Sequence, residues 1–121
     1  MNRDIQTVRA FDAQVSEVVF GIKTEYRHWF SGAVRNYDYM NDIHEIIPAY
    51  STTWEGMKLV VEEMKRKGWS FTLQCWGDEE QIEEMPYEAT FGFLGSEPTA
   101  TANTAPHAVC LAALKALEGN V

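Results

Sequence analysis

The chain is poor in the residues that most directly announce a function. Of its 121 residues, two are cysteine and four are proline. Cys75 and Cys110 both sit among apolar neighbours, which predicts free core thiols rather than a disulfide. Basic residues are scarce: ten Lys and Arg stand against eighteen Asp and Glu, a formal net charge of −8. This balance excludes the clustered positive charge that long nucleic acid requires. A small nucleotide stays within reach, since two arginines or a helix N-terminus can hold one or two phosphates. No apolar run approaches the ~20 residues that span a bilayer. The opening MNRDIQTVRA has no signal-peptide apolar stretch. No membrane contact and a cytoplasmic address are therefore the expectation.

Motifs of catalysis are missing too. There is no G-x-S-x-G elbow, and neither cysteine adjoins a histidine. Gly92 and Gly95 form neither a phosphate loop nor a dinucleotide fingerprint. Asp42, His44 and Glu45 match no metal-ligand spacing. The sequence thus assigns no catalytic residue, no metal and no cofactor. The acidic stretch Asp78 to Glu84 reads as a solvated loop, with a paired-carboxylate site or a surface for a basic partner as alternatives.

What is present is scaffold. A length of 121 residues predicts one domain over 1–121 with a core large enough to fold unaided. Residues 3–20 carry Ile5, Val8, Phe11, Val15, Val18 and Val19 at helical steps, with Gly21 as the stop. From 22 to 49 the periodicity fails; a structureless run of that length is uncommon, so short strands or a folded excursion are expected there. Its aromatics, Trp29 among them, are interleaved with Arg27 and Arg35, the makings either of a surface that stacks rings and holds phosphates or of a core completed around a long crossover.

Tyr50 to Trp76 is the best-defined unit. Thr52 and Glu55 have capping-box spacing, with Ser51 as the competing cap. Trp54, Met57, Val60 or Val61, and Met64 make an apolar stripe, and Glu62–Arg66 and Glu63–Lys67 are i,i+4 pairs. Gly68 ends the helix, and Trp69, Phe71, Leu73 and Cys75 alternate with polar residues as a strand. Tyr87, Ala89, Phe91 and Phe93 predict a second strand, Leu94 to Pro98 a turn, and Thr99 to Ala102 a third strand of an antiparallel meander. Asn103 or Thr104 caps a final, largely buried helix with Pro106 in its first turn.

One site stands out physically. The final helix presents its N-terminal amides beside Asn103, Thr104 and His107, a setting suited to an anion. Phe91 or Phe93 on the neighbouring strand is expected to stack a base.

The segments YSTTWEGMKLVVEEMKRKGW, YEATFGF and TANTAPHAVCLAALKALE resemble the phage ABA-sandwich domain family, best over residues 50–118. FDAQVSEVVFG looks like the family's opening helix, and 22–48 match weakly. The closing T-A-P-x-A-x-C-x-A-A-L-K-A-L is the most specific piece. The resemblance implies an α+β fold, an antiparallel sheet of about three or more strands packed with helices in an α-β-α sandwich-like arrangement, and a phage origin. It carries no enzyme chemistry. Small phage proteins of this shape include anti-defence sponges such as the Thoeris anti-defence type, which are oligomeric and sequester cyclic ADP-ribose isomers. The expected function is therefore capture, without cleavage, of a small cyclic nucleotide signal in the infected cell's cytoplasm. Arg27, Trp29, Arg35, Phe91, Phe93, Asn103 and Thr104 are the expected ligand-binding residues, in a homo-oligomer. An acidic module that inhibits a host protein and a nucleotide hydrolase are the alternatives.

Overall fold

The structure, a computed structural model, describes residues 5–27, 32–38, 43–75 and 87–118, with backbone alone at 5–7, 25–27, 32–38 and 43–45. The elements in order are α1 (Ile5–Phe20), β1 (Thr24–Arg27), β2 (Gly32–Asp38), β3 (Ile43–Ile46), α2 (Trp54–Arg66), β4 (Ser70–Cys75), β5 (Tyr87–Gly92), β6 (Thr99–Ala102) and α3 (Ala105–Glu118). The fold is α+β. Two antiparallel three-stranded sheets form, in the orders β1-β2-β3 and β4-β5-β6. The aperiodic segment after α1 is thus the first sheet, as short strands.

α1 buries Val15 and Val19 completely. It ends at Gly21, whose φ of 68° is the left-handed conformation of a helix stop. α2 is closed by a Schellman arrangement. Gly68, at φ 103°, donates to the Lys65 carbonyl, and Trp69 donates to the Met64 carbonyl, each at 3.0 Å. The next residue begins β4, so this cap aims the strand.

Four details of the 50–76 unit differ from the sequence expectation. The N-cap is Thr53, neither Thr52 nor Ser51: its hydroxyl accepts the Gly56 amide at 2.9 Å and donates to the Ala49 carbonyl at 2.9 Å. Ser51 is instead buried, its amide donating to Asp12 Oδ1 at 3.0 Å. Trp54 is 56% exposed: the buried residues Gly56, Met57, Val60 and Met64 centre the inward stripe on the other side of Met57, and Gly56 takes the place expected of Trp54. Arg66 pairs with Glu63 rather than Glu62, and Lys67 joins the same carboxylate at 3.5 Å. The Arg66 hydrogen bond holds the Glu63 carboxyl below its ordinary value.

The second sheet is in register over all six β4–β5 pairs, from Ser70–Gly92 to Cys75–Tyr87. Its inner face carries Phe71 and Leu73, then Ala89 and Phe91, then Ala100 and Ala102, all joined to the core. α3 lies along β5 and β6 and is packed in turn by α2 and α1, while α1 also touches β1 and β2. The helix layers therefore gather on one side of this sheet. The other side carries Ser70, Thr72, Gln74, Glu88, Thr90, Thr99 and Thr101, with Thr90 and Thr99 hydroxyls 3.0 Å apart. Cys75, at the strand's end, is exposed, against the expectation of a core thiol; Cys110 is buried, and both are free.

Candidate functional site

The final helix begins as its sequence predicts. The Thr104 hydroxyl accepts the His107 amide at 3.4 Å, and the Thr104 carbonyl accepts the Ala108 amide at 3.0 Å. Pro106 has no amide to offer and is buried in the first turn. The Ala105 amide is left as the first-turn donor that no described residue engages. Asn103 and Thr104 are exposed around it, and the half-buried His107 ring meets Phe11 of α1 edge-on at 5.7 Å. This is a helix mouth with one free amide and two polar side chains, fewer donors than the sequence alone implies.

The expected aromatic partners are elsewhere. Phe91 is fully buried and packs against Phe71, ring centroids 5.2 Å apart. A ring without exposed surface offers a base no stacking face, which removes Phe91 from the ligand set. Phe93 is 40% exposed but stands at the far end of the sheet, against Trp69 at 5.2 Å. Tyr87, not Phe93, pairs with Ala102. Six residue steps along the strand separate Tyr87 from Phe93, roughly 20 Å at the usual strand rise. Phe93 therefore cannot share a nucleotide-sized ligand with Asn103 and Thr104 in one copy of the chain.

The turn that carries Phe93 to that end is tight. Phe93 and Ser96 exchange both main-chain hydrogen bonds at 2.9 Å, leaving Leu94 and Gly95 as the loop, at φ 48° and 86°. Two positive φ values mark a type I′ hairpin. Beside it lies an open cleft of about 400 Å³, bounded by Gly68, Ser70, Gly92 and residues 93–97. Its charged lining residue is Glu97, the wrong sign for a phosphate.

Arg27 lies opposite Gly32 and Arg35 opposite Thr24, three register steps apart in the first sheet. Trp29 and the acidic stretch 78–84 lie outside the described residues. The seven expected residues are thus not one constellation: Asn103 and Thr104 come together, Phe91 and Phe93 do not join them, and the arginines belong to the other sheet. Two residues escaped the sequence reading. Tyr87 is half-buried on the α3 side of the sheet, next to Ala102. Asp12 is buried and tethers Ser51. Its position four residues after Val8 and three before Val15 is the signal that places it on α1's inner face.

No metal-holding group of His, Cys, Asp and Glu occurs among the described residues. Among those residues, no helix is long and apolar enough to cross a membrane. No family model matches the chain, and no curated protein matches its sequence. Its fold is similar to the crystal structure of a phage protein from Bacillus cereus ATCC 14579. The TM-score is 0.70 over 100% of this chain and 94% of that one, at 20% identity. At that identity the likeness establishes a shared phage-protein fold.

Proposed function

We propose that this chain is a phage protein that binds a small anionic nucleotide, of the cyclic signalling kind, and holds it without cleaving it. The observation that carries the reading is the start of α3, where the amide of the buried Ala105 has no acceptor among the described residues and the neighbouring Asn103 and Thr104 are exposed. The positive end of a 14-residue helix favours negative charge there. The fold shared with a phage protein is consistent with the same reading. In this reading Tyr87, which stands across the ladder from Ala102, would stack the base in place of Phe91 and Phe93. Arg27 or Arg35 would reach the ligand from a second copy of the chain.

Calorimetric titration with a panel of cyclic nucleotides tests this. One of them is expected to bind wild-type protein at micromolar concentration. Asn103→Asp, which replaces a donor with a carboxylate beside the phosphate, should weaken it roughly tenfold or more. Equal affinity of wild type and Asn103→Asp, or no binding by any member of the panel, would contradict the reading.

A further inference from the structure

The two edges of the β4–β6 sheet are not alike. In an antiparallel ladder, successive residues direct their main-chain groups alternately to one side and the other. The Phe91 amide donates to the Pro98 carbonyl at 3.1 Å, and Phe93 exchanges both bonds with Ser96. Odd-numbered residues of β5 therefore face β6, and its even-numbered residues face β4. Ser70, Thr72 and Gln74 stand opposite Gly92, Thr90 and Glu88, so these three direct their main-chain groups to β5. Phe71, Leu73 and Cys75 must then point theirs outward, across the sheet edge. Among the described residues nothing takes those groups. Trp69, the next residue of the outward set, is already engaged, since its amide donates to Met64 in the α2 cap. The open edge runs from 71 to 75, and its midpoint is Leu73.

β6, at the other edge, is guarded. By the same alternation Thr99 faces outward, and its carbonyl accepts Lys115 Nζ at 3.0 Å. A lysine on the edge is a common protection against strand addition. β4, reading SFTLQC, has no charge, no proline and no bulge. Its inner face is also unfinished. Ala89 and Phe91 on β5 are fully buried, whereas Phe71 and Leu73 are only half-buried and Cys75 is exposed. The helix layer is centred over β5 and β6 and reaches β4 only through α2.

We propose that β4 pairs antiparallel with β4 of a second copy of this chain, about a twofold axis at Leu73, joining two three-stranded sheets into one of six. Two chains that each carry −8 repel, which favours contact through an uncharged segment, and β4 supplies six uncharged residues in a row. The strand is self-complementary about its midpoint. Leu73 pairs with Leu73 of the second copy, and Phe71 pairs with its Cys75, which occupies every outward amide and carbonyl from 71 to 75. A register centred on Thr72 instead sets Cys75 against Trp69, whose amide is taken. On the polar face, the Leu73-centred register places Thr72 opposite Gln74 of the second copy.

Residue-resolved amide exchange over a dilution series of the wild-type protein tests the pairing. The Phe71, Leu73 and Cys75 amides should lose protection together on dilution, while Thr72 and Gln74 stay protected by β5. Sedimentation of two exposed-surface variants tests the register. T72K/Q74K sets like charges in both cross-strand pairs and T72K/Q74E sets opposite ones, so the first should dissociate roughly tenfold more readily. The proposal is overturned by free exchange of the three amides at every concentration, by their protection in a monomer, or by equal dimerisation of the two variants.

Discussion

Gly56 and Leu94 show opposite ways in which one residue meets its backbone. Gly56 lies in the first turn of α2, although Ala is the better helix former in a helix interior by about 1 kcal/mol. Here a Cβ would come 2.2 Å from the Ala49 carbonyl oxygen and 2.7 Å from the Tyr50 Cα. Backbone atoms cannot yield as a flexible side chain can. Gly56→Ala should therefore destabilise the protein by at least about 2 kcal/mol, read as a lower urea midpoint. Leu94 is the reverse case, a branched side chain held at φ 48° and 91% exposed. The left-handed conformation costs such a residue about 1–2 kcal/mol, and exposure returns nothing in packing. Leu94→Asn, followed by Gly95, gives the pair that a type I′ turn prefers. It should raise stability by about 1 kcal/mol, seen as a higher thermal midpoint.

At the scale of the element, the caps show how far sequence reasoning reaches. Ser51, Thr52 and Thr53 are chemically equivalent candidates for the α2 N-cap, and spacing to Glu55 favours Thr52. The choice is decided by tertiary contact: Asp12 draws the Ser51 amide inward, and Gly56 packs on Ala49, which turns Thr53 toward the helix. Thr53→Ala should cost about 1 kcal/mol in chemical denaturation, while Thr52→Ala, one residue away, should stay within about 0.5 kcal/mol. The β4–β6 meander was legible because its alternation is strict and its turn residues are explicit. The first sheet was legible only as one of two expectations, short strands or a folded excursion, since its residues show no single period. The long pairing of Glu63 with Arg66 and Lys67 was half legible; two carboxylates adjacent in sequence offer the same cations, and rotamer geometry selects one.

The whole molecule decides what the candidate site can be. Phe91 and Phe93 are close to Asn103 in sequence, and both were natural choices for stacking a base. The hairpin centred on Leu94 and Gly95 reverses the chain, so Ala102 returns to Tyr87 and Phe93 ends at the opposite margin. That outcome follows from the turn position alone once the loop is known to be two residues. The burial of Phe91 was not readable in this way, because it depends on α3 lying across β5. What remains at the mouth of α3 is a small polar site beside a half-buried tyrosine, on a fold shared with a phage protein. Under the proposed function, capture and hydrolysis of a nucleotide would both begin with binding there and would part only in what leaves. The decisive measurement is a mass balance: the protein is mixed with the cyclic nucleotides, filtered free of unbound ligand, heat-denatured, and its released ligand identified by mass spectrometry. The account predicts one nucleotide depleted from solution and returned intact in proportion to protein. Recovery of an altered nucleotide, or of none, would contradict it.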